Sequence, residues 1–184
     1  MSPNADAPET AATRWSRLRA LYRTKTSVRW TVDLTLVVAV VSAIGLFQTR
    51  AHLRGAAPSL PLTTLDGKAT SLEAYHGKPT LVYLWAPWCG VCKAESQNVR
   101  WVRGLVGDRA NVVSIATAYE QLDDVRAYVK DGLGYPVLVS PSADRAFRVG
   151  AFPTMFVLDA QGTIVRSAAG YTTTFGLWWR LTMP

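Results

Sequence analysis

The chain has 184 residues and a formal net charge of +7, and 49% of its residues are hydrophobic. This length suits one domain with extensions or two small domains, and the composition excludes disorder throughout the chain. Two cysteines are too few for a secreted fold held together by many disulfides. The basic excess indicates nucleic-acid binding only if it lies on a folded surface, so its distribution along the chain decides its meaning.

The basic residues cluster ahead of one apolar run. Residues 1–29 carry six Lys or Arg and two acids, a net charge of +4 (6 − 2). Residues 30–47 read WTVDLTLVVAVVSAIGLF, with Asp33 as the single charged residue. Eighteen helical residues span about 27 Å, close to the thickness of the hydrocarbon core of a bilayer. We therefore predict a transmembrane anchor at residues 30–47, and the basic cluster predicts that residues 1–29 are cytoplasmic.

Two features of this run have competing interpretations. Asp33 lies in the first predicted turn, four residues after Arg29, so a pair with Arg29 is favoured over a functional intramembrane carboxylate. A cleaved signal peptide is the alternative to an anchor, but its basic region would be unusually long, and residues 48–50 (QTR) offer no small-residue cleavage site. We favour an uncleaved anchor. Because membrane topology accounts for the basic cluster, we expect no nucleic-acid partner.

Beyond the anchor, residues 48–58 are typical of a linker, and residues 59–184 are long enough for one packed domain. The predicted elements, in chain order, are a hairpin around Asp66-Gly67, a strand at 80–85, a helix at 89–106, a strand at 111–116, a helix at 121–130, a strand at 136–140, a helix at 142–148, strands at 154–159 and 163–167, and a helix at 173–181. Strands that alternate with helices and end in a hairpin predict an α/β fold with a mixed sheet.

Both cysteines lie in WAPWCGVCK, residues 85–93, which follows a predicted buried strand and opens a predicted helix. Two intervening residues at a helix start hold the sulfurs close enough to form a disulfide. The unpaired N–H groups and the dipole of the helix N-terminus favour a thiolate on Cys89, whereas Cys92 lies in the first turn and is shielded. We therefore predict that Cys89 is the attacking nucleophile and that Cys92 resolves the mixed disulfide.

Other uses of this cysteine pair are less well supported by the sequence. A structural disulfide that closes so short a loop constrains the unfolded chain little. A zinc site needs two further ligands, and the two histidines of the chain, His52 and His76, lack ligand spacing. A cysteine hydrolase needs a base, and His76 has no evident orienting partner. Cu(I), which soft thiolates bind, is the serious alternative for the same two sulfurs.

A second motif, GAFPT at residues 150–154, stands immediately before a predicted strand. The combination of WAPWCGVCK after a buried strand with Phe152-Pro153-Thr154 about sixty residues later resembles the thioredoxin superfamily over residues 59–181. More narrowly, the chain is similar to the membrane-anchored TlpA/ResA/DsbE-like thiol:disulfide oxidoreductases, whose helix–strand insertion would correspond to residues 121–140. The ending GYTTTFGLWW, residues 170–179, together with the basic anchor, is similar to the suppressor-of-copper-sensitivity D type.

This resemblance implies a thioredoxin-like domain over residues 59–184, with a mixed sheet flanked by helices and preceded by one transmembrane helix. Pro153 would be a cis-proline beside the pair formed by Cys89 and Cys92, and the peptide before it would hydrogen-bond an extended client strand. Trp88 and Phe152 would form an apolar rim at this place, with ordinary packing as the alternative.

The resemblance also bears on three further positions, one that matches the family pattern and two that do not. Glu95 lies on the same helical face as Cys92 and would tune the cysteine pair, with an ordinary surface glutamate as the alternative. Two positions depart from the family pattern. Tyr83 occupies the place of the buried aspartate of thioredoxin, and Val91 replaces the common proline before the second cysteine.

The function expected from these observations is that of a protein-disulfide oxidoreductase that exchanges disulfides with client proteins. The resemblance implies a reductant that takes electrons from a membrane thiol transporter and is anchored by one span in a bacterial inner membrane, with its C-terminal domain in the periplasm. We predict no metal site and no cofactor beyond the redox-active cysteine pair. The alternatives are a Cu(I)-binding or haem-pathway chaperone and a thiol peroxidase, whose Thr-x-x-Cys pattern is contradicted by Ala86.

Overall fold

The computed structural model describes residues 30–40, 43 and 55–183. The chain divides into two compact units, residues 1–44 and 45–184. In the first unit, residues 30–40 and residue 43 are helical. Among the residues that the structure describes, no helix combines the length and the apolar character needed to cross a membrane. The predicted basic segment with Arg29, the end of the predicted anchor, and the first part of the predicted linker with His52 lie outside the described residues.

The described part of the second unit is an eight-stranded sheet with helices on both faces. Its strands are β1 (Gly55–Ala56), β2 (Leu62–Thr64), β3 (Ala69–Thr70), β4 (Thr80–Trp85), β5 (Asn111–Ala116), β6 (Val137–Val139), β7 (Thr154–Leu158) and β8 (Thr163–Ala169). Its α-helices are α1 (Gly90–Val106), α2 (Leu122–Val129), α3 (Ala143–Ala146) and α4 (Thr174–Thr182), with 3₁₀ turns at Leu72–Tyr75 and Gly107–Arg109. The strand order is β1-β8-β7-β4-β5-β6-β2-β3. Strands β4, β5 and β6 run parallel and the other pairs are antiparallel, which confirms the predicted mixed α/β sheet.

Strand β4 is the centre of the sheet because both of its faces are apolar. All six of its residues are buried, and it pairs in parallel with β5 and antiparallel with β7. Side chains alternate between the faces of a strand. Tyr83 and Trp85 therefore join the core under α1 and α4, whereas Val82 and Leu84 join the core that includes Phe147 on the other face.

The register of the sheet brings the two sequence motifs to the same end. Leu84, near the end of β4, pairs with Thr154 at the start of β7. The chain leaving β4 toward Cys89 and the chain entering β7 through Pro153 therefore meet at one end of the strands. Helix α1 starts at this end and packs Val102 and neighbouring valines against the sheet.

The structure departs from the predicted elements mainly at their ends. Strand β1 lies inside the predicted linker. The sequence did not predict it, because it forms only through long-range pairing of Gly55 and Ala56 with β8. Helix α3 is shorter than residues 142–148, and Arg148 with φ of +52° stands where the predicted helix would have continued. Strand β8 extends to Ala169, two residues beyond its predicted end, because Ala168 and Ala169 keep pairing with β7.

Truncation of a buried leucine in β4 tests this account of the core. Leu84 is fully buried, so Leu84→Ala should lower the free energy of unfolding by about 2–5 kcal/mol. Leu105, which is 54% exposed on α1, is the matched control, and Leu105→Ala should change it by about 0.5 kcal/mol or less. Urea unfolding followed by circular dichroism measures both, and equal effects of the two substitutions would contradict the placement of β4.

Candidate active site

The two cysteines are joined by a disulfide at the start of α1, with their Cα atoms 5.3 Å apart. Cys89 is the N-cap of α1, and its Sγ accepts a hydrogen bond of 3.1 Å from the backbone N–H of Cys92. Cys89 retains 7% exposure, whereas Cys92 has none. The structure therefore places Cys89 at the helix N-terminus and Cys92 in the shielded first turn, as predicted.

Two hydroxyl groups donate hydrogen bonds to the backbone of the first turn of α1. The carbonyl of Cys92 accepts hydrogen bonds of 2.9 Å from the Tyr83 hydroxyl and of 2.9 Å from Ser96 Oγ. Because Ser96 donates its only hydroxyl proton to this carbonyl, the Tyr128 hydroxyl, 3.1 Å away, acts as donor to Ser96. Burial raises the pKa of Tyr83, which keeps its hydroxyl protonated and able to donate.

Glu95 is completely buried, so its interpretation as an ordinary surface glutamate is wrong. Its Oε2 accepts a hydrogen bond of 3.0 Å from the backbone N–H of Thr172, and its Oε1 has no hydrogen-bond partner. Burial raises the pKa of Glu95 to about 7, although the hydrogen bond from Thr172 and the nearby Asn98 side chain lower it. The carboxyl group therefore changes its protonation near neutral pH.

The Thr172 segment is itself held against α1. Asn98 Nδ2 donates a 3.0 Å hydrogen bond to the carbonyl of Thr172, and Asn98 Oδ1 accepts one of 3.1 Å from Thr174 Oγ1. These bonds fix the loop before α4, so that the backbone N–H of Thr172 points at Glu95. The environment of Glu95 thus depends on a segment 77 residues away in the chain.

Trp88 and Phe152 meet beside the cysteines. The Trp88 ring is 69% exposed and packs edge-on against Phe152, with ring centroids 5.6 Å apart and an interplanar angle of 79°. Trp88 Nε1 donates a 2.8 Å hydrogen bond to the carbonyl of Ala118, which holds the indole in place. The peptide bond between Phe152 and Pro153 is cis, as the resemblance implied. The two rings therefore form an apolar rim that solvent reaches.

A cleft of about 530 Å³ opens next to this rim. Its walls combine aromatic rings with carboxylates, and they consist of Pro87, Trp88, Ala118, Tyr119, Glu120, Asp124, Ala127 and Tyr128. Helix α2 and the loop before it form one wall, so the segment predicted as a helix–strand insertion contributes directly to the surroundings of Cys89.

Sequence reasoning missed the hydrogen-bonding partners of the site. Ser96 lies four residues after Cys92, and helical spacing alone would have placed it on the same face. Tyr128 and Thr172 belong to distant elements and carried no sequence signal. His76, which was considered as a base, is exposed in the turn after the Leu72–Tyr75 element and lies beside Gly162 in the loop between β7 and β8, at the opposite end of the sheet.

Comparisons with known proteins agree with this geometry. The Redoxin family model matches residues 52–175. The chain is 31% identical over 112 residues to the thioredoxin-like protein YneN of Bacillus subtilis (strain 168), a match covering 59% of this chain and 66% of that protein. It is 27% identical over 120 residues to the thiol-disulfide oxidoreductase ResA of Bacillus anthracis, covering 64% of this chain and 69% of ResA.

A solved structure shares both the fold and part of the sequence. The thioredoxin-family thiol:disulfide interchange protein of Chlorobium tepidum TLS superposes with a TM-score of 0.61 at 30% identity, covering 71% of this chain and 96% of the other. The mixed sheet and the Cys-x-x-Cys pair at a helix start define a protein of the thioredoxin-like class. The chain belongs to the Redoxin family, and it is a protein-disulfide oxidoreductase.

The buried Glu95 carboxyl predicts a pH dependence of stability. Its pKa is about 7 in the folded protein against an ordinary value of 4.5, so the folded state holds a proton that the unfolded chain has released. The free energy of unfolding should therefore fall as the pH rises from about 4.5 to about 7, by an amount on the order of 3 kcal/mol from this group.

Urea unfolding of the oxidised protein between pH 4 and 8 measures this effect. Glu95→Gln should remove the pH-dependent loss, whereas Asp108→Asn, at an exposed carboxyl, should leave it in place. Parallel pH curves for the wild type and Glu95→Gln would contradict the assignment.

Proposed function

We propose that the protein exchanges disulfides with client proteins through Cys89 and Cys92, and that the exchange begins at Cys89. The observation that carries this proposal is the unequal placement of the two sulfurs. Cys89 is the N-cap of α1 and keeps some exposure, whereas Cys92 is sealed in the first turn and is within disulfide reach of Cys89. A helix N-terminus stabilises negative charge, which favours the thiolate that attacks.

The reductive reaction proceeds in two exchanges. The Cys89 thiolate attacks one sulfur of a client disulfide, which forms a mixed disulfide and releases the other client sulfur as a thiolate that takes up a proton. The Cys92 thiolate then attacks Cys89 Sγ, so that the Cys89–Cys92 disulfide forms and the client leaves with its second thiol. Two electrons pass from the protein to the client, and the same steps run backwards when the oxidised protein meets a dithiol.

The rim provides a place for the client backbone. Within residues 55–183, the backbone N–H and C=O of Phe152 make no hydrogen bond, whereas the carbonyl of Pro153 accepts one of 2.8 Å from Gly170 N–H. An extended client strand beside Cys89 can therefore pair with Phe152 and pack its side chains on Trp88. In this proposal Trp88, Phe152 and Pro153 bind and orient the client while the cysteines react.

Glu95 acts on the reaction through the cysteine pair. It follows Cys92 by three residues on α1, and both side chains are fully buried. Its pKa of about 7 allows it to hold or release a proton at neutral pH, at the stage when Cys92 changes between thiol and disulfide. We assign Glu95 as a positioning residue that tunes the pair, and we assign no metal and no separate cofactor to the reaction.

The membrane location and the direction of electron flow complete the proposal. The basic segment 1–29 and the apolar run 30–47 support a single-pass anchor in a bacterial inner membrane, with residues 48–58 as the linker and the Cys-bearing domain, residues 59–184, in the periplasm. The resemblance to TlpA/ResA/DsbE-like proteins and to the suppressor-of-copper-sensitivity D type supports a reductant. In this proposal a membrane thiol transporter reduces its Cys89–Cys92 disulfide again after each reaction. Because an oxidising compartment already favours disulfide formation, the activity that we assign to this cysteine pair is reduction.

Replacement of the resolving cysteine tests the chemistry. Cys92→Ser should accumulate clients as mixed disulfides on Cys89, because the second exchange cannot occur, and these adducts should appear on non-reducing gels and collapse with dithiothreitol. Cys89→Ser is the matched control and should trap nothing.

Two outcomes would contradict this assignment. The first is equal trapping by both variants, which would remove the asymmetry of the two sulfurs. The second is a reduced wild-type protein that binds Cu(I) tightly but reduces no disulfide, which would support the Cu(I) or haem-pathway chaperone instead.

A topology reporter tests the location. Alkaline phosphatase fused after Pro184 should be active in a bacterial host, because the enzyme needs the oxidising periplasm. The same fusion without residues 1–47 should be inactive. An inactive full-length fusion, with a cytoplasmic reporter active at the same position, would overturn the orientation and leave the thiol chemistry untouched.

A further inference from the structure

The carbonyl of Cys92 accepts hydrogen bonds that a helix does not require. The Tyr83 hydroxyl donates to it from β4, and Ser96 Oγ donates to it from the next turn of α1, both at 2.9 Å. Tyr83 and Cys92 are fully buried, so these bonds are shielded from water. A regular helix supplies only a backbone N–H to such a carbonyl, so the two side-chain donors are an addition specific to this position.

Tyr128 extends this arrangement to α2. Its hydroxyl lies 3.1 Å from Ser96 Oγ and donates to it, because Ser96 uses its own proton on the Cys92 carbonyl. The Tyr128 ring stacks on the fully buried Trp85 with ring centroids 4.2 Å apart, which holds the ring in place. We call Tyr83, Ser96 and Tyr128 the hydroxyl cluster. The cluster joins β4, α1 and α2 at the predicted resolving cysteine.

The tyrosines of the hydroxyl cluster donate hydrogen bonds and do not act as bases. Burial raises the pKa of Tyr83 and of Tyr128, so both hydroxyls stay protonated at neutral pH. A general base has to accept a proton, whereas protonated Tyr83 presents the positive end of its O–H dipole to the Cys92 carbonyl. The cluster therefore acts on Cys92 through electrostatics.

Cys92 has to carry a negative charge in a place that water does not reach. The second exchange requires the Cys92 thiolate, and burial disfavours a thiolate. The negative end of the Cys92 carbonyl adds to this cost, because it belongs to the same residue as the sulfur. Two hydroxyl donors offset that negative end. Cys89 depends on them less, since its Sγ accepts from the Cys92 N–H, which belongs to the preceding peptide group.

We propose that Tyr83 and Ser96, with Tyr128 behind Ser96, are positioning residues that speed the second exchange by stabilising the Cys92 thiolate. This inference rests on the proposed disulfide exchange and names residues that set the rate of its second step. In that step Cys92 Sγ bonds to Cys89 Sγ, the bond from Cys89 to the client sulfur breaks, and the client sulfur leaves with the electron pair. The proton that the Cys92 thiol loses balances the one that the client thiolate takes up.

Several elements bring titratable groups to the surroundings of Cys92. They are Cys89 at the cap of α1, Glu95 in α1, Tyr83 in β4, Tyr128 in α2 and Tyr135 before β6. Burial raises the pKa of all three tyrosines further above neutral pH, and it raises the pKa of Glu95 to about 7. A cavity of about 150 Å³ beside Ser96 and Tyr128 is also lined by three charged side chains, namely Lys93, Arg100 and Asp131. Because Glu95 titrates near neutral pH, the test includes chains that lack its carboxyl group.

The aromatic disulfide dithiobis-nitrobenzoate separates the two exchanges in a stopped-flow experiment on the reduced full chain. The attack of Cys89 releases one thionitrobenzoate at a rate proportional to the reagent concentration, and the attack of Cys92 on Cys89 releases the second at a rate independent of it. Tyr83→Phe and Ser96→Ala should each slow the second release about tenfold at neutral pH and change the first by about twofold or less. Tyr128→Phe should slow the second release about twofold, because Ser96 still donates to the carbonyl.

The pH profile of the second release identifies the cause of the slowing. In chains that carry Glu95→Gln, the midpoint of this profile should lie about one pH unit higher with Tyr83→Phe than without it, and the two rates should converge at high pH, where Cys92 is ionised in both. Tyr75→Phe is the matched control. It removes the hydroxyl of a half-buried tyrosine that packs on the other face of the sheet, and it should leave both releases unchanged.

Each other outcome falls on a defined part of the account. A wild-type protein that releases only one thionitrobenzoate, or whose second release rises with reagent concentration, overturns the exchange chemistry and this inference with it. Two normal releases in the wild type and an unchanged second release in Tyr83→Phe and Ser96→Ala overturn the inference alone. A second release slowed by the same factor at every pH, or an equal slowing of the first release, shows that the hydroxyls only hold the helix, which also overturns the inference.

Discussion

The site depends on the junction between β4 and α1. Strand β4 is buried on both faces, so its position in the sheet is firmly determined, and the chain that leaves it passes through Cys89 directly into α1. This junction gives the two sulfurs different environments although only two residues separate them. Cys89 is the N-cap and keeps some exposure, whereas Cys92 lies inside the first turn, where Tyr83 and Ser96 donate hydrogen bonds to its carbonyl.

The burial of Glu95 connects this junction to the end of the chain. A carboxyl group that loses all contact with water is stabilised in its neutral form, and the single hydrogen bond from Thr172 compensates for only part of that loss. Asn98 of α1 makes hydrogen bonds with the same loop and with the start of α4, so these bonds connect α4 directly to the cysteine helix. The loop that leads into helix α4 thus completes the surroundings of Glu95.

Local patterns of the sequence predicted elements whose identity depends on their own residues. The apolar runs of β4 and β5 predicted buried strands with the bounds that the structure has, and the valine spacing predicted α1. Elements that depend on a distant partner were missed or misjudged: β1 exists only because β8 pairs with it, and β8 runs on to Ala169 because β7 continues beside it. The same division holds at the site, where spacing singled out Cys89 and Cys92 but not Tyr128 or Thr172.

The sequence by itself determined the cysteine pair, its place at the head of a helix after a buried strand, and the family to which these residues point, because each depends on spacing within one short segment. Only the tertiary structure decided that Glu95 is buried rather than exposed, that Trp88 lies against Phe152, and that Phe175 and Trp179 share an uncovered face. The physical reason is that burial and contact are set by residues far apart in the chain. A glutamate in a helical turn has the same local pattern whether water or the Thr172 backbone lies opposite it.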